Sequence, residues 1–276
     1  MKRLCILFLM LTTFNSYTMA QDKENDEMKY LQHGGNKMYY HDSGSGNTTV
    51  VLVSGLTEGL NTWKGFQQEL SKHARVISYD RNGLGNSDYI PDNKNMDAMT
   101  GELDMLINEL KVNTPVVLVG HSIGATIAKK YTELFPQKVK ALFLIDGYHE
   151  LFYKELKEAI TPQMWSDYVS NYENIRSNVP PGISDEIGFV LELMQSDAKY
   201  PVPSDIPVYL FTSIKEGEIE EKFVEFNKAA YKVHLRLNNQ LAKEHKNLHH
   251  IIIDKSSHYI YLEEPELIIN EIEKLL

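Results

Sequence analysis

Cysteine is almost missing from this chain: Cys5 is the single copy in 276 residues. A disulfide within the chain is therefore impossible. Cys5 also lies in a stretch read below as a removable leader, which excludes a cysteine nucleophile and thiolate metal ligands from the mature protein. Apolar runs long enough to span a bilayer are missing too; the run Leu4 to Leu11, "LCILFLML", falls well short. Basic charge is in deficit, with 28 Lys and Arg against 38 Asp and Glu and a net charge of −10. That disfavours nucleic acid and anionic membrane surfaces as partners. No internal repeat or low-complexity segment is visible. The glycines of "YDRNGLGNSD", Gly83 and Gly85, are not spaced as G-x-G-x-x-G, and no Lys-Ser/Thr pair follows them. Phosphate-cradling loops are therefore not expected.

The N-terminus has the layout of a signal peptide. Lys2 and Arg3 form a basic start, Leu4 to Leu11 an apolar stretch, and "SYTMA" ends in a small residue before Gln21. Cleavage after residue 20 and export, to a periplasm or the exterior, are the expectation, with no stable membrane insertion afterwards. Losing Lys2 and Arg3 leaves the mature chain more acidic still.

The rest, 42% apolar overall, is long enough for one sizeable core. "MKYLQHGGNKMYYHDSG" reads as a hairpin around "GGN". "TTVVLVSG", "ARVISYD", "TPVVLVG", "KALFLID", "IPVYLFT" and "LHHIIID" read as strands, several of them near-continuous apolar runs buried on both faces. Helical patterns separate them: "FQQELSKH", "MDAMTGELDMLINEL", "IGATIAKKYTELF" and "PELIINEIEKLL". The alternation predicts an α/β fold with a mostly parallel sheet flanked by helices. Residues 147–205 break it, with aromatics at helical spacing and no strand. They are read as a helical cap inserted between core segments 21–146 and 206–276.

The densest chemical signal is "VVLVGHSIGATIAKKY", residues 116–131. Ser122 stands between Gly120 and Gly124, where a strand meets a helix. A turn that sharp exposes the hydroxyl, and its neighbours two positions away must be small. The next N–H, of Ile123, lies at a helix N-terminus and can stabilise an oxyanion. A second donor should come from the loop of "VVLVSGLTEGLNTW", where Gly55 permits a turn and the Leu56 N–H follows. The cluster His245, His249 and His250 lacks a matching carboxylate or helix context for a metal and reads as surface or strand-end residues. Neither a metal nor a cofactor is expected.

The segments "SGLTEGLNTW", "SYDRNGLGNSD", "GHSIGA" and "SSHYIYLEEPELI" together resemble the α/β-hydrolase fold family, in its broad group with a helical cap, from about residue 37 to 276. The resemblance implies the chain order nucleophile, acid, histidine. It places the histidine at His258, after the last strand, as the base for Ser122. It leaves the acid open. The usual site follows the strand after the cap, but "VYLFTSIKEGEIEE" has no aspartate there, only Glu216 and Glu218. A less common arrangement uses the carboxylate that ends the strand before the cap, here Asp146. The missing Asp favours Asp146, with Glu216 or Glu218 as the alternative. The resemblance also makes Asp80 and Arg81 buried partners beside the oxyanion loop, and puts Ser54 where many relatives carry histidine.

The implied reaction is hydrolysis of a carboxylic ester, or a related acyl bond, of a small, fairly apolar substrate through an acyl-enzyme. A serine nucleophile argues against the dehalogenases and epoxide hydrolases of this fold, which use Asp. The missing "GGPG" argues against proline iminopeptidases. Acyl transfer, cofactor-free perhydrolysis on the same three residues, and a non-catalytic ligand-binding protein stand as alternatives.

Overall fold

Successive residues of the central strands feed two different cores. In β3 (Thr49–Val53) Val51 and Val53 face one layer while Val50 and Leu52 face the other. In β5 (Val116–His121) Leu118 faces the first layer, and Val117 and Val119 the second. In β6 (Val139–Ile145) Leu142 and Leu144 likewise oppose Ala141, Phe143 and Ile145. Side chains alternate across a strand, so a strand buried on both faces must be apolar throughout.

A computed structural model describes residues 28–91, 94–215 and 223–276. The leader expected over residues 1–20 lies outside them. The hairpin of β1 (Lys29–His33) and β2 (Asn36–Ser43) opens an eight-stranded sheet. With β4 (Arg75–Tyr79), β7 (Val208–Ser213) and β8 (Leu248–Ile253), the strand order is β1-β2-β4-β3-β5-β6-β7-β8. The β1–β2 and β2–β4 pairs are antiparallel; every later pair is parallel.

Helices cover both faces. On one side α1 (Lys64–Leu70), α8 (Ile260–Glu263) and α9 (Pro265–Glu273) place Phe66, Leu70, Tyr261 and Ile268 on the sheet. On the other, α2 (Met96–Glu109) and α3 (Ile123–Leu134) contribute Met99, Leu103, Ile127 and Tyr131. The Asn95 side chain caps α2 by accepting the Ala98 N–H at 2.9 Å.

Residues 147–205 hold α4 (Phe152–Ala159), α5 (Pro162–Arg176) and α6 (Pro181–Leu193), with no strand between them. Proline opens both α5 and α6, where its missing N–H costs nothing. These helices share the core cluster of α2 and α3 through Phe152, Leu156, Tyr168 and Ile187. An element absent from the sequence expectations is α7 (Val224–Glu244), which buries Phe226, Ala230, Val233, Leu237 and Leu241. Its polar residues interrupt the stripe, which hides the helical period from a reading that starts from strands.

The parallel register brings the strand ends level. Val53 is paired with Gly120, His121 with Ile145, and Ile145 with Phe211. Loops leaving β3, β5, β6 and β8 therefore open at the same edge, the usual place for a site in such a sheet.

Candidate active site

Ser122 occupies the turn between β5 and α3 with φ +53° and ψ −120°, a region a non-glycine residue rarely enters. Two hydrogen bonds hold it there: its N–H donates to Ile145 O at 3.0 Å, and its carbonyl accepts the Ala125 N–H at 3.0 Å. The flanking glycines are required by contact. A Cβ at Gly120 would lie 2.5 Å from Gly124 O, and one at Gly124 would lie 2.2 Å from Val53 O. Strand and helix could not approach closely enough to hold the turn with any larger residue.

His258 lies in the loop between β8 and α8, and lines the same pocket as Ser122. Its Nδ1 is 2.6 Å from Asp146 Oδ2. Asp146 follows β6 at φ +46° and is fully buried. Its Oδ1 accepts the Ser213 N–H at 2.9 Å and lies 3.1 Å from His234 Nε2. Burial works against the charged form of this carboxyl. The hydrogen bonds of His234 and His258 overcome it and hold Asp146 well below the usual carboxylate range. An ionised Asp146 fixes the His258 tautomer, with Nδ1–H toward the carboxylate and Nε2 free to act as base. Burial is also the main influence on His258, and His121 adds to it. Asp146 opposes both, and the net result is below the ordinary histidine value.

Ser122 and His258 were expected after two different strands, and Asp146, against Glu216 or Glu218, at the end of a third; in the structure His258 shares the pocket of Ser122 and is paired with Asp146. Glu216 and Glu218 lie outside the described residues. His234, on α7, was missed. It sits 88 residues from Asp146 in sequence, in a helix with no motif around it, and only the unassigned stretch before β8 could have drawn attention to it.

The loop that follows β3 is braced from beneath. Glu58 Oε2 accepts the Gly55 N–H at 2.8 Å and lies 3.1 Å from His121 Nδ1; His121 Nε2 is 3.1 Å from the His258 carbonyl. His121 is buried under the elbow and ties the loop after β3 to the loop that carries His258. Burial again opposes the Glu58 charge, but His121 and the Gly55 amide hold its carboxyl below normal. Arg81 reaches the same loop from β4, donating to Ser54 O at 2.7 Å and Gly55 O at 2.6 Å. Its Nε donates to Glu186 Oε1 at 2.8 Å, and Glu186 Oε2 accepts the Thr57 N–H at 2.6 Å. Gly55 and Thr57 thus have their amides occupied. The Leu56 amide between them has no hydrogen-bond partner among the described residues, and Leu56 and Ile123 both line the pocket. Asp80 and Arg81 are buried, as the resemblance implied. Ser54 Oγ accepts the Trp63 Nε1–H at 2.9 Å, so both act in packing.

Beyond Ser122 the pocket runs between α3 and the segment 148–200. Its walls include Tyr148, Tyr153, Ile187, Val190 and Leu193, an apolar lining that admits acyl or alkyl groups. The Tyr148 ring lies parallel to that of His258, with centroids 6.2 Å apart.

Known proteins agree with this architecture. A family model described as "alpha/beta hydrolase fold" matches residues 48–182. A Pantoea ananatis protein named "putative carbamate hydrolase RutD" is 35% identical over 115 residues, which is 40% of this chain and 42% of that one. The chain thus spans less than half the length of the curated relatives it matches. An esterase from Thermogutta terrifontis superposes with a TM-score of 0.61 at 20% identity, covering 90% of this chain and 97% of its own. An epoxide hydrolase, CorEH, gives a TM-score of 0.56 at 18% identity, covering 90% and 98%. Two different reactions fit the backbone almost equally, so the chemistry has to be read from side chains.

Proposed function

This chain belongs to the α/β-hydrolase fold family, and on that premise we propose that it is a serine hydrolase cleaving a carboxylic ester of a small, fairly apolar substrate. The observation that carries the reading is a serine at positive φ on the floor of an apolar pocket that also holds His258, the histidine 2.6 Å from a buried carboxylate. Ser122 Oγ would attack the substrate carbonyl while His258 Nε2 takes its proton. Asp146, still ionised, would stabilise the imidazolium. The N–H groups of Leu56 and Ile123 would receive the oxyanion. Collapse of the tetrahedral intermediate expels the alcohol, which takes the proton from His258. Water, activated by the same histidine, then releases the acid. The apolar walls favour alkyl or aryl arms over charged ones.

A panel of p-nitrophenyl esters of increasing chain length, with an amide and a carbamate beside them, tests this on the wild type and on Ser122→Ala. Ester turnover lost by a factor of about 10⁴ or more in the variant is expected. No turnover of any member, or turnover indifferent to Ser122→Ala, refutes the reading. Carbamate as the best substrate would move the assignment toward the chemistry for which the Pantoea relative is named. We also propose that residues 1–20 direct export and are removed; an exported protein whose mass includes Met1 would contradict this.

A further inference from the structure

One wall of the pocket carries a charge that nothing in the proposed reaction uses. Ser122, Thr126 and Lys129 all line it, spaced four and then three residues apart, so they form one stripe along α3. Lys129 is 3% exposed, in a helix turn whose other inward residues are Ile127, Ala128 and Tyr131. A buried ammonium is costly unless its three donors are met. Lys129 Nζ makes one hydrogen bond among the described residues, to Tyr148 O at 3.2 Å. Glu150 Oε2 stands at 3.8 Å, close enough to balance charge but too far to accept a hydrogen bond. Burial lowers the Lys129 pKa and Glu150 partly restores it. The neighbouring His149 Nδ1 already accepts the Leu151 N–H at 3.1 Å. Unfilled N–H donors thus line an otherwise largely apolar cleft.

We propose that Lys129 sets substrate choice by donating to a neutral oxygen, a carbonyl or hydroxyl, on the longer arm of the ester. This rests on the ester-hydrolase reading above and names the substrate class within it. A rise of 1.5 Å per residue puts the two Cα atoms about 10 Å apart, and the lysine side chain leans back toward the helix start. The oxygen therefore lies about six to eight chain atoms from the reacting carbonyl. The oxygen is neutral because Glu150 balances the ammonium: an incoming carboxylate would face the Glu150 carboxylate as well as Lys129.

Matched substrates separate this from a purely structural lysine. The acyl pair is p-nitrophenyl octanoate and its 7-oxo analogue; the alcohol pair is octyl acetate and 7-oxooctyl acetate. In at least one pair the oxo ester should show kcat/KM about tenfold higher, the worth of a hydrogen bond to a charged donor. Lys129→Met should bring that ratio to about one, and Lys129→Arg should retain part of it. A lysine that only anchors the 148–150 segment would lower both members equally and leave the ratio intact. Wild-type ratios near one in both pairs, alongside turnover of p-nitrophenyl acetate, overturn the inference and leave the hydrolase reading standing. If p-nitrophenyl acetate and every longer ester are inert, the hydrolase reading itself has failed. Mono-p-nitrophenyl suberate, whose arm ends in a carboxylate, should be poorer than the 7-oxo ester. If it is the best of the series, the neutral class is wrong.

Discussion

At the scale of single residues, the carboxylate behind His258 matters most. Asp146 accepts from three directions: the Ser213 amide, His234 and His258. Asp146→Asn keeps the shape but presents an amide N–H or the wrong tautomer to His258, so kcat should fall about 10⁴-fold in steady-state assays. Glu216→Gln and Glu218→Gln should leave it near wild type; a large loss in either would move the acid there. The pH profile follows from His258. Burial and His121 lower its pKa below the ordinary value of about 6.5. As pH falls, the acid limb of kcat/KM should therefore have its midpoint below about 6.5, where the imidazole protonates. An acid limb centred above pH 7 would contradict the placement of His258.

Between elements, the strongest connection is buried. Glu186 on α6 meets Arg81, which follows β4, at 2.8 Å and Lys94 at 3.4 Å, and all three side chains are almost fully enclosed. Burial opposes the Glu186 charge, but the two cations hold its carboxyl below normal. The same carboxylate receives the Thr57 N–H, so the inserted helix also shapes the loop after β3. Glu186→Ala would leave Arg81 and Lys94 buried without the carboxylate that balances their charge. Stability should drop by about 3–5 kcal/mol in urea unfolding. Glu186→Gln keeps an acceptor for Thr57 and should lose less. If Glu186→Ala unfolds like the wild type, the network is not holding α6 to the core.

Over the whole molecule, the inserted helices are part of the main core. Phe152, Leu156, Tyr168 and Ile187 belong to the same cluster as Val51, Leu118 and Leu142 of the sheet. Removing them from the sheet would expose that shared surface, so the insertion and the α/β body should unfold together. Calorimetry should show a single transition; a separate early melt of residues 147–205 would refute this.

The sequence by itself determined what depends on near neighbours. Apolar runs of branched residues specify strands buried on both faces, and glycines two positions either side of Ser122 specify the elbow, because those constraints act within a few residues. Tertiary structure alone decided which distant groups meet. Asp146 and His258 are 112 residues apart, Arg81 and Glu186 are 105 apart, and His234 reaches Asp146 from a helix that carries no motif. Hydrogen bonding and charge pairing depend on distance in space, and only the parallel register of the sheet and the folding-back of the inserted helices set those distances. Lys129 is the sharpest case. In the sequence it is one of two adjacent lysines on a helix, and its burial in the pocket of Ser122 follows entirely from what packs over α3.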